Sequence, residues 1–200
     1  MNNYTVQEDG KLSDETINRT IERLYEDVSA LDHIAVEAHM ALSRASGVFR
    51  AALASEYESL GFSVPRLNSL RLLYHADGYR MTITELSAYL ETSVPSTTHL
   101  VNALEEEGWV RRLQDEHDRR VTLVELTEAG VERTRALLPH MTEIWSDMWC
   151  GLSDTEKAVL SHLLAKFRLN LLSRYIGFER LLPYKLKKRQ GRRPRRHEGK

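Results

Sequence analysis

The sequence has a single cysteine among its 200 residues, and no apolar run approaches the roughly 18 residues that a membrane-spanning helix needs. Cys150 therefore cannot form an internal disulfide or supply a paired-thiol zinc site. The N-terminus lacks the basic start, apolar segment and small-residue cleavage site of a secretory signal. We therefore expect a cytoplasmic protein that has no membrane partner.

Motifs of the common enzyme classes are also missing. The sequence has no phosphate-binding glycine loop, no HExxH segment and no nucleophile elbow. His33 with His39, and His117 with Asp118, come nearest to a metal site, but neither pair belongs to a recognised ligand set. We expect no enzymatic activity, no bound metal and no cofactor.

Charged residues nearly balance, with 28 Lys and Arg against 29 Asp and Glu and a formal net charge of -1. The balance hides an uneven distribution, because residues 185–200 contain nine Lys and Arg but one Glu. We interpret residues 177–200 as a basic flexible tail, which would add salt-dependent, sequence-independent affinity for a polyanion such as DNA. A tail that only aids solubility is the alternative.

The N-terminal region carries a helical repeat. Residues 1–12 are polar, and we expect them to be disordered. After Ser13, a favourable N-cap residue, apolar or small side chains recur three and four residues apart, which is a heptad pattern. The pattern predicts one long helix, or two nearly collinear helices, within residues 13–62, whose stripe packs on a partner helix; packing only within its own domain is the alternative. The repeat consists of Ile17, Ile21, Leu24, Val28, Leu31, Ala35, Ala38, Leu42, Ala45, Phe49 and Ala52.

A second helical region occupies residues 127–176. Apolar side chains again alternate three and four apart over residues 128–149. Ser153 and Glu156 then form a capping box that opens a further amphipathic helix. If these helices bury their stripes against the N-terminal helices of a second copy, the product is a two-fold symmetric homodimer.

The middle of the chain, residues 63–126, has a different order of elements. Pro65 opens a short helix, Thr82 and Glu85 form a capping box, and Ser93 caps a helix over residues 94–107. Two β-rich segments, residues 109–113 and 121–126, flank a charged loop and predict an antiparallel hairpin. The predicted fold is mainly α with a small β-hairpin wing, a winged helix–turn–helix with long N- and C-terminal dimerisation helices.

The helix that Ser93 caps is the candidate DNA-reading element. A second helix of such a motif enters the major groove, where hydrogen-bonding side chains reach base edges and phosphates. Leu100, Val101 and Leu104 include the apolar positions expected to anchor it. An ordinary polar helix surface is the alternative. The candidate contacts on this helix are Ser93, Pro95, Ser96, Thr97, Thr98, His99 and Asn102.

Residues 82–130 resemble the MarR (multiple antibiotic resistance regulator) family. The resemblance rests on the helix end Leu104-Glu105 to Gly108, the loop Asp118-Arg119-Arg120, and the segment Leu126-Thr127-Glu128-Ala129-Gly130. It implies a dimer in which the first and last helices form the dimerisation region. It also implies that Arg120 enters the minor groove beside Arg119, while Asp118 holds the wing with Arg112 as its ionic partner.

The resemblance further implies a small-molecule effector. Members of this family often bind aromatic or otherwise lipophilic anions, and binding commonly weakens their affinity for DNA. A cation beside an aromatic surface suits an aromatic carboxylate or a coenzyme A thioester. A redox sensor at Cys150 is the less favoured alternative, since no cation lies near it in the sequence. The candidate ligand residues are His39, Arg44, Arg50, Arg71, Tyr74 and Trp145.

Together these features predict a dimeric, sequence-specific transcription regulator, of the repressor kind, that is released from a palindromic operator by such a ligand. The alternative is an architectural DNA-binding protein that responds to no effector. A specific regulator keeps a large preference for one palindrome over random DNA as the salt concentration rises. An architectural protein has little such preference, and its affinity falls with salt.

Overall fold

The computed structural model of the chain describes residues 4–28, 32–115 and 121–176. The chain divides into two compact units between Gly61 and Phe62. No helix within the described ranges is long and apolar enough to cross a membrane. The mainly α-helical fold with a small antiparallel sheet that the sequence predicts is confirmed.

The first unit consists of a β-hairpin and two helices. Strands β1 (Tyr4–Val6) and β2 (Leu12–Asp14) pair antiparallel, and helices α1 (Glu15–Asp27) and α2 (His33–Ser59) follow. The prediction of disorder over residues 1–12 is therefore wrong for residues 4–12. The turn explains the difference, since Gly10 has a φ of +81° and the Asp9 side chain accepts a hydrogen bond from the Lys11 N–H at 2.9 Å.

Helix α1 folds back along α2 and does not continue it. The Asp14 carboxylate lies 3.0 Å from Nε of Arg44, and Lys11 Nζ lies 2.8 Å from Glu37 Oε1. In collinear helices Asp14 and Arg44 would lie about 45 Å apart. The prediction of one long helix or two nearly collinear helices is therefore wrong, because these ion pairs hold the hairpin and α1 against α2.

The heptad stripe of the first unit is buried at one end and exposed over most of α2. Ile17 on α1 is buried, whereas Leu42 and Phe49 on α2 are 37% and 41% exposed. An apolar repeat of this kind on a helix surface is typical of a surface that packs on another helix.

The second unit contains the remaining helices and a small sheet. Its elements are α3 (Val64–Tyr74), a 3-10 turn (Asp77–Tyr79), β3 (Arg80–Thr82), α4 (Ile83–Tyr89), α5 (Val94–Glu106), β4 (Val110–Gln114), β5 (Thr122–Leu126), α6 (Glu128–Met148), α7 (Asp154–Leu171) and a short π-helical segment (Leu172–Ile176). Both predicted capping boxes are confirmed, at Thr82 with Glu85 and at Ser153 with Glu156.

The sheet has the order β3-β5-β4, with antiparallel pairing throughout. Strand β4 pairs with β5 from Val110 opposite Leu126 to Gln114 opposite Thr122, which confirms the predicted hairpin. Strand β3 was not predicted, because three residues are too few to show an alternating pattern. It lies against β5 with Met81 opposite Val124, so β5 is the central strand.

The core of the second unit lies where α3, α4, α5, α6 and the sheet meet. Each element contributes fully or nearly fully buried apolar side chains, and burying one such side chain stabilises the fold by about 1.5–3 kcal/mol. The buried set includes Leu67, Leu70, Leu73, Leu86, Val101, Leu104, Val110, Val124, Leu126 and Met141.

The backbone of α6 begins in direct contact with the start of the wing. The Trp109 carbonyl accepts a hydrogen bond from the Thr127 N–H at 3.1 Å, and Thr127 Oγ1 donates to the Gly108 carbonyl at 2.7 Å while capping α6 at Gly130. A Cβ atom at Gly130 would lie 2.0 Å from the Trp109 carbonyl oxygen. Only glycine fits this junction.

We expect Gly130→Ala to lower the free energy of unfolding by about 1–3 kcal/mol or more, since the new methyl group meets backbone atoms that cannot move aside. Denaturant titration measures the change. Gly47→Ala is the matched control, because Gly47 lies in α2 with nothing near its added Cβ, and it should stabilise the protein by about 0.5–1 kcal/mol. Equal effects of the two substitutions would contradict the steric account.

Asp14 makes the first unit sensitive to acid. Its carboxylate accepts a hydrogen bond from the Thr16 N–H at 2.9 Å and faces Arg44, and its side chain is 7% exposed. Burial alone would raise the pKa of Asp14, but the Thr16 N–H and the Arg44 guanidinium outweigh it and hold the pKa below its ordinary value.

We expect Asp14→Asn to lower the melting temperature at neutral pH, because asparagine caps a helix about as well as aspartate but has no charge for Arg44. A carboxyl whose folded pKa is lowered stabilises the protein above its unfolded pKa and loses that effect as the pH falls through the folded pKa. The difference between the two proteins should therefore shrink below about pH 4. Thermal melts by circular dichroism across acid pH test this, and a constant difference would contradict it.

Candidate nucleic-acid interface

Helix α5 follows α4 through a tight turn. The Thr92 N–H donates to the Ser87 carbonyl at 3.0 Å, and Glu91 adopts a φ of +53°. Ser93 then caps α5, as predicted, with its Oγ accepting from the Ser96 N–H at 3.3 Å and lying 2.8 Å from Ser96 Oγ. Pro95 lies in the first turn, where N–H groups have no partner within the helix, so the N–H that proline lacks costs no hydrogen bond.

One face of α5 is anchored in the core of the second unit. Val101 and Leu104 are fully buried, and Leu100 is half-buried. These positions are the apolar anchors that the sequence predicts. They leave the opposite face of α5 at the surface.

Thr97 belongs to the buried face, so its prediction as a DNA contact is wrong. Its side chain is 0% exposed, and its Oγ1 donates to the Ser93 carbonyl at 3.1 Å. The reason is its spacing, since Thr97 precedes Val101 by four residues and therefore shares that residue's helix face. The sequence contains this spacing, but Thr97 was grouped with the predicted DNA contacts because its side chain carries a hydroxyl group.

The other candidates on α5 lie at or near the surface. Thr98 is half-buried, and its Oγ1 donates to the Val94 carbonyl at 2.9 Å. That bond uses the hydroxyl proton, so Thr98 presents lone pairs and a methyl group. The exposed candidates are Ser93, Pro95, Ser96, His99 and Asn102.

Arg112 of strand β4 is bound to the exposed side of α5. Its guanidinium pairs with the Glu105 carboxylate, reaches the Thr98 carbonyl at 3.3 Å and donates to Asn102 Oδ1 at 2.5 Å. The Arg112 N–H also donates to Glu105 Oε1 at 2.9 Å. We call this arrangement the Arg112 latch. It joins the β4–β5 hairpin to α5.

Sequence reasoning did not place Glu105 beside Arg112, although Glu105 stands in the Leu-Glu helix end that resembles the family pattern. The predicted partner of Arg112, Asp118, lies outside the described residues, as do Arg119 and Arg120. On the neighbouring strand position, Arg111 pairs across the hairpin with Glu125, Nε to Oε2 at 2.7 Å.

Two of the predicted ligand residues come together in the second unit. The Arg71 guanidinium carbon lies 5.8 Å from the centre of the Trp145 ring, a cation–π arrangement. Arg71 Nε is buried and has no hydrogen-bond partner among the described residues. Trp145 lines a cavity of about 530 Å³ between α6 and α7, beside Trp149, Lys157 and Leu164.

The remaining ligand candidates are placed differently. The Tyr74 hydroxyl accepts a hydrogen bond from Arg135 Nε at 3.4 Å. His39, Arg44 and Arg50 are exposed on α2 of the first unit, and Arg44 is already paired with Asp14. The structure describes no group of three His, Cys, Asp or Glu residues within its ranges that could hold a metal, and Cys150 is exposed.

The helix–turn–helix of α4 and α5, followed by the β4–β5 hairpin, makes the protein a winged helix–turn–helix protein. The MarR family model matches residues 62–122, which contain this motif. The chain therefore contains a MarR family domain at these residues.

Curated relatives are similar to about half of this chain. The transcriptional repressor MprA of Escherichia coli K12 is 34% identical over 106 residues, which are 53% of this chain and 58% of MprA. An uncharacterised HTH-type transcriptional regulator of Bacillus subtilis, YdgJ, is 32% identical over 111 residues, 56% of this chain and 66% of YdgJ. The chain thus spans about three fifths to two thirds of the length of these relatives.

Solved structures share the fold. One is Sco3205 of Streptomyces coelicolor, a MarR family transcriptional regulator in complex with DNA, with a TM-score of 0.63 at 22% identity. The alignment covers 67% of this chain and 88% of the Sco3205 chain. MepR in the S. aureus MepR–DNA complex has a TM-score of 0.59 at 20% identity. The alignment covers 66% of this chain and 97% of the MepR chain.

Proposed function

We propose that this protein is a sequence-specific DNA-binding transcription regulator. The observation that carries the proposal is the division of α5 into two faces. Val101 and Leu104 anchor one face fully in the core, while Ser96, His99 and Asn102 occupy the exposed face. A helix held in this way can enter the major groove without exposing apolar side chains. Sco3205 and MepR, which share the fold, are described in complex with DNA.

The active form that we propose is a homodimer on a palindromic operator. Helix α7 is rich in exposed apolar side chains, since Val159, Leu163 and Phe167 are each at least 45% exposed. The exposed stripe of α2 adds a second such surface. A two-fold dimer would present two recognition helices, which bind half-sites about 34 Å apart. The relative MprA is named a repressor, and we propose repression here as well.

We further propose that a small aromatic or lipophilic anion, or a coenzyme A thioester, releases the protein from DNA. Arg71 and Trp145 support this idea, because a cation with an unused buried N–H lies over an aromatic ring. An effector changes DNA affinity only if it binds one arrangement of the two recognition helices more tightly than the other. We keep Tyr74, His39, Arg44 and Arg50 as secondary candidates for this ligand.

Selection of bound sequences from a random duplex library at near-physiological salt tests the proposal. An enriched palindrome would support a sequence-specific dimer. Titration of the enriched duplex with aromatic acids and their coenzyme A thioesters then tests release. A wild-type protein that binds DNA but enriches no sequence would overturn the proposal in favour of an architectural DNA-binding protein.

Arg120→Ala should weaken operator binding roughly ten- to hundredfold while the dimer remains intact, because a cation inserted into a narrow minor groove meets enhanced negative potential. Fluorescence anisotropy measures the Kd, and analytical ultracentrifugation measures the dimer. Thr97→Val is the matched control, since it changes a polar residue of α5 that is buried, and its operator Kd should equal that of the wild type. An unchanged Kd for Arg120→Ala would remove the wing from the interface.

Deletion of residues 185–200 should weaken binding to random DNA and reduce the slope of log affinity against log salt, because nine basic side chains are removed. The preference for the operator over random DNA should survive. Binding isotherms over a range of salt concentrations measure both quantities. Loss of the preference together with the affinity would show that the tail takes part in sequence recognition.

A further inference from the structure

Asn102 holds its side-chain amide in a defined orientation. It lies on the exposed face of α5, and its Oδ1 accepts a hydrogen bond from Nη2 of Arg112 at 2.5 Å. A guanidinium has five N–H donors and no acceptor. The atom of Asn102 that faces Arg112 must therefore be the amide oxygen, and the amide nitrogen is left to face outward.

The Arg112 latch makes this orientation hard to reverse. Thr98, Asn102 and Glu105 follow one another at spacings of four and three on α5, so they form a row along one helix face. Arg112 spans the row, with the Glu105 carboxylate at one end and the Thr98 carbonyl at the other. Both Arg112 and Glu105 are partly buried, with side chains 26% and 36% exposed. Rotation of the Asn102 amide would place two N–H donors against a cation and lose a charge-assisted bond.

The orientation decides what Asn102 can recognise in the major groove. An asparagine with a free oxygen and a free nitrogen reads adenine, since it accepts from N6 and donates to N7. When Oδ1 is turned toward Arg112 and bound to it, the group that Asn102 presents is its NH2, and two N–H donors do not fit the N6 amino group. Guanine instead presents two acceptors, O6 and N7, which match the two N–H groups of the amide.

We propose that Arg112 is a specificity-determining residue, which holds Oδ1 of Asn102 and so makes α5 prefer guanine over adenine at the base that Asn102 contacts. This inference rests on the proposed function, because it assumes that α5 enters the major groove. It deepens that function by assigning one position of the operator half-site. Arg112 acts through Asn102 as a positioning residue.

The test repeats the selection from a random duplex library with variants of the full-length protein. The wild type should enrich a palindrome, and Asn102→Ala should lose base preference at one position of each half-site, where the wild type selects guanine. Arg112→Lys should shift that position toward adenine, because a single ammonium nitrogen that pairs with Glu105 releases Oδ1 of Asn102. The guanine-to-adenine ratio should change about tenfold.

Arg111→Lys is the matched control. Arg111 lies next to Arg112 on β4 and also pairs with a carboxylate, that of Glu125, but it does not touch Asn102. The guanine-to-adenine ratio of this variant should equal that of the wild type. An equal shift in both variants would mean that any disturbance of the wing changes the preference, and it would overturn the proposal.

A second variant keeps the proposal testable if Arg112→Lys does not fold, which circular dichroism would show. Asn102→Asp places a carboxylate in the latch, with one oxygen held by Arg112 and the other facing outward. An outward acceptor reads the N4 amino group of cytosine, so the selected base should change from guanine to cytosine.

The outcomes separate this inference from the proposed function. A palindrome whose Asn102-dependent base is adenine, or whose guanine-to-adenine ratio is unchanged in folded Arg112→Lys, would overturn the inference and leave the regulator intact. The same holds if Asn102→Ala changes no position. If the wild type enriches no sequence at all, the proposed function fails, and the inference fails with it.

Discussion

The close contact between the Trp109 carbonyl and Gly130 is the constraint on which the second unit depends. It joins the first residue of the wing to the first turn of α6 with no room for a side chain. Thr127 completes the junction, because one threonine both caps α6 and binds the carbonyl of Gly108. Helix α5 ends just before this junction, and the β4–β5 hairpin begins at it. Their relative placement therefore follows from backbone contacts, which tolerate little displacement.

The Arg112 latch adds a polar connection at the surface to this backbone connection. Val101 and Leu104 anchor the buried face of α5 in the core, and Arg112 of β4 binds three groups on the exposed side of the same helix. Polar groups on the surface of α5 therefore already take part in hydrogen bonds within the protein. Oδ1 of Asn102 accepts a hydrogen bond from Arg112, and the Thr98 hydroxyl donates a hydrogen bond to the Val94 carbonyl. The hydrogen-bonding pattern of the helix surface is set by these internal bonds as well as by residue type.

Local signals predicted most of the second unit, and they failed where a feature depends on distant residues. Capping boxes and proline positions located the starts of α4, α5 and α7, since a cap involves residues only three apart. Strand β3 has no such signal, because its three residues become a strand only by pairing with β5. The fold-back of α1 brings Asp14 to Arg44, a contact between residues 30 positions apart that no local pattern specifies. The hairpin at residues 4–14 did carry a local signal, the Asp9-Gly10 pair at its turn.

The sequence by itself determined the class of this protein. The order of helices, turn and hairpin, together with the motifs around Gly108 and Gly130, is enough to identify a winged helix–turn–helix of the MarR family, because these signals are local in the chain. Only the tertiary structure decided which polar side chains of α5 are available. Thr97 is buried because its helix face meets the core, and Arg112 binds Glu105 and Asn102 because the sheet brings β4 beside α5. The spacing of Thr97 from Val101 is a local sign of the first outcome, whereas the second depends on a contact between elements, which no local pattern specifies.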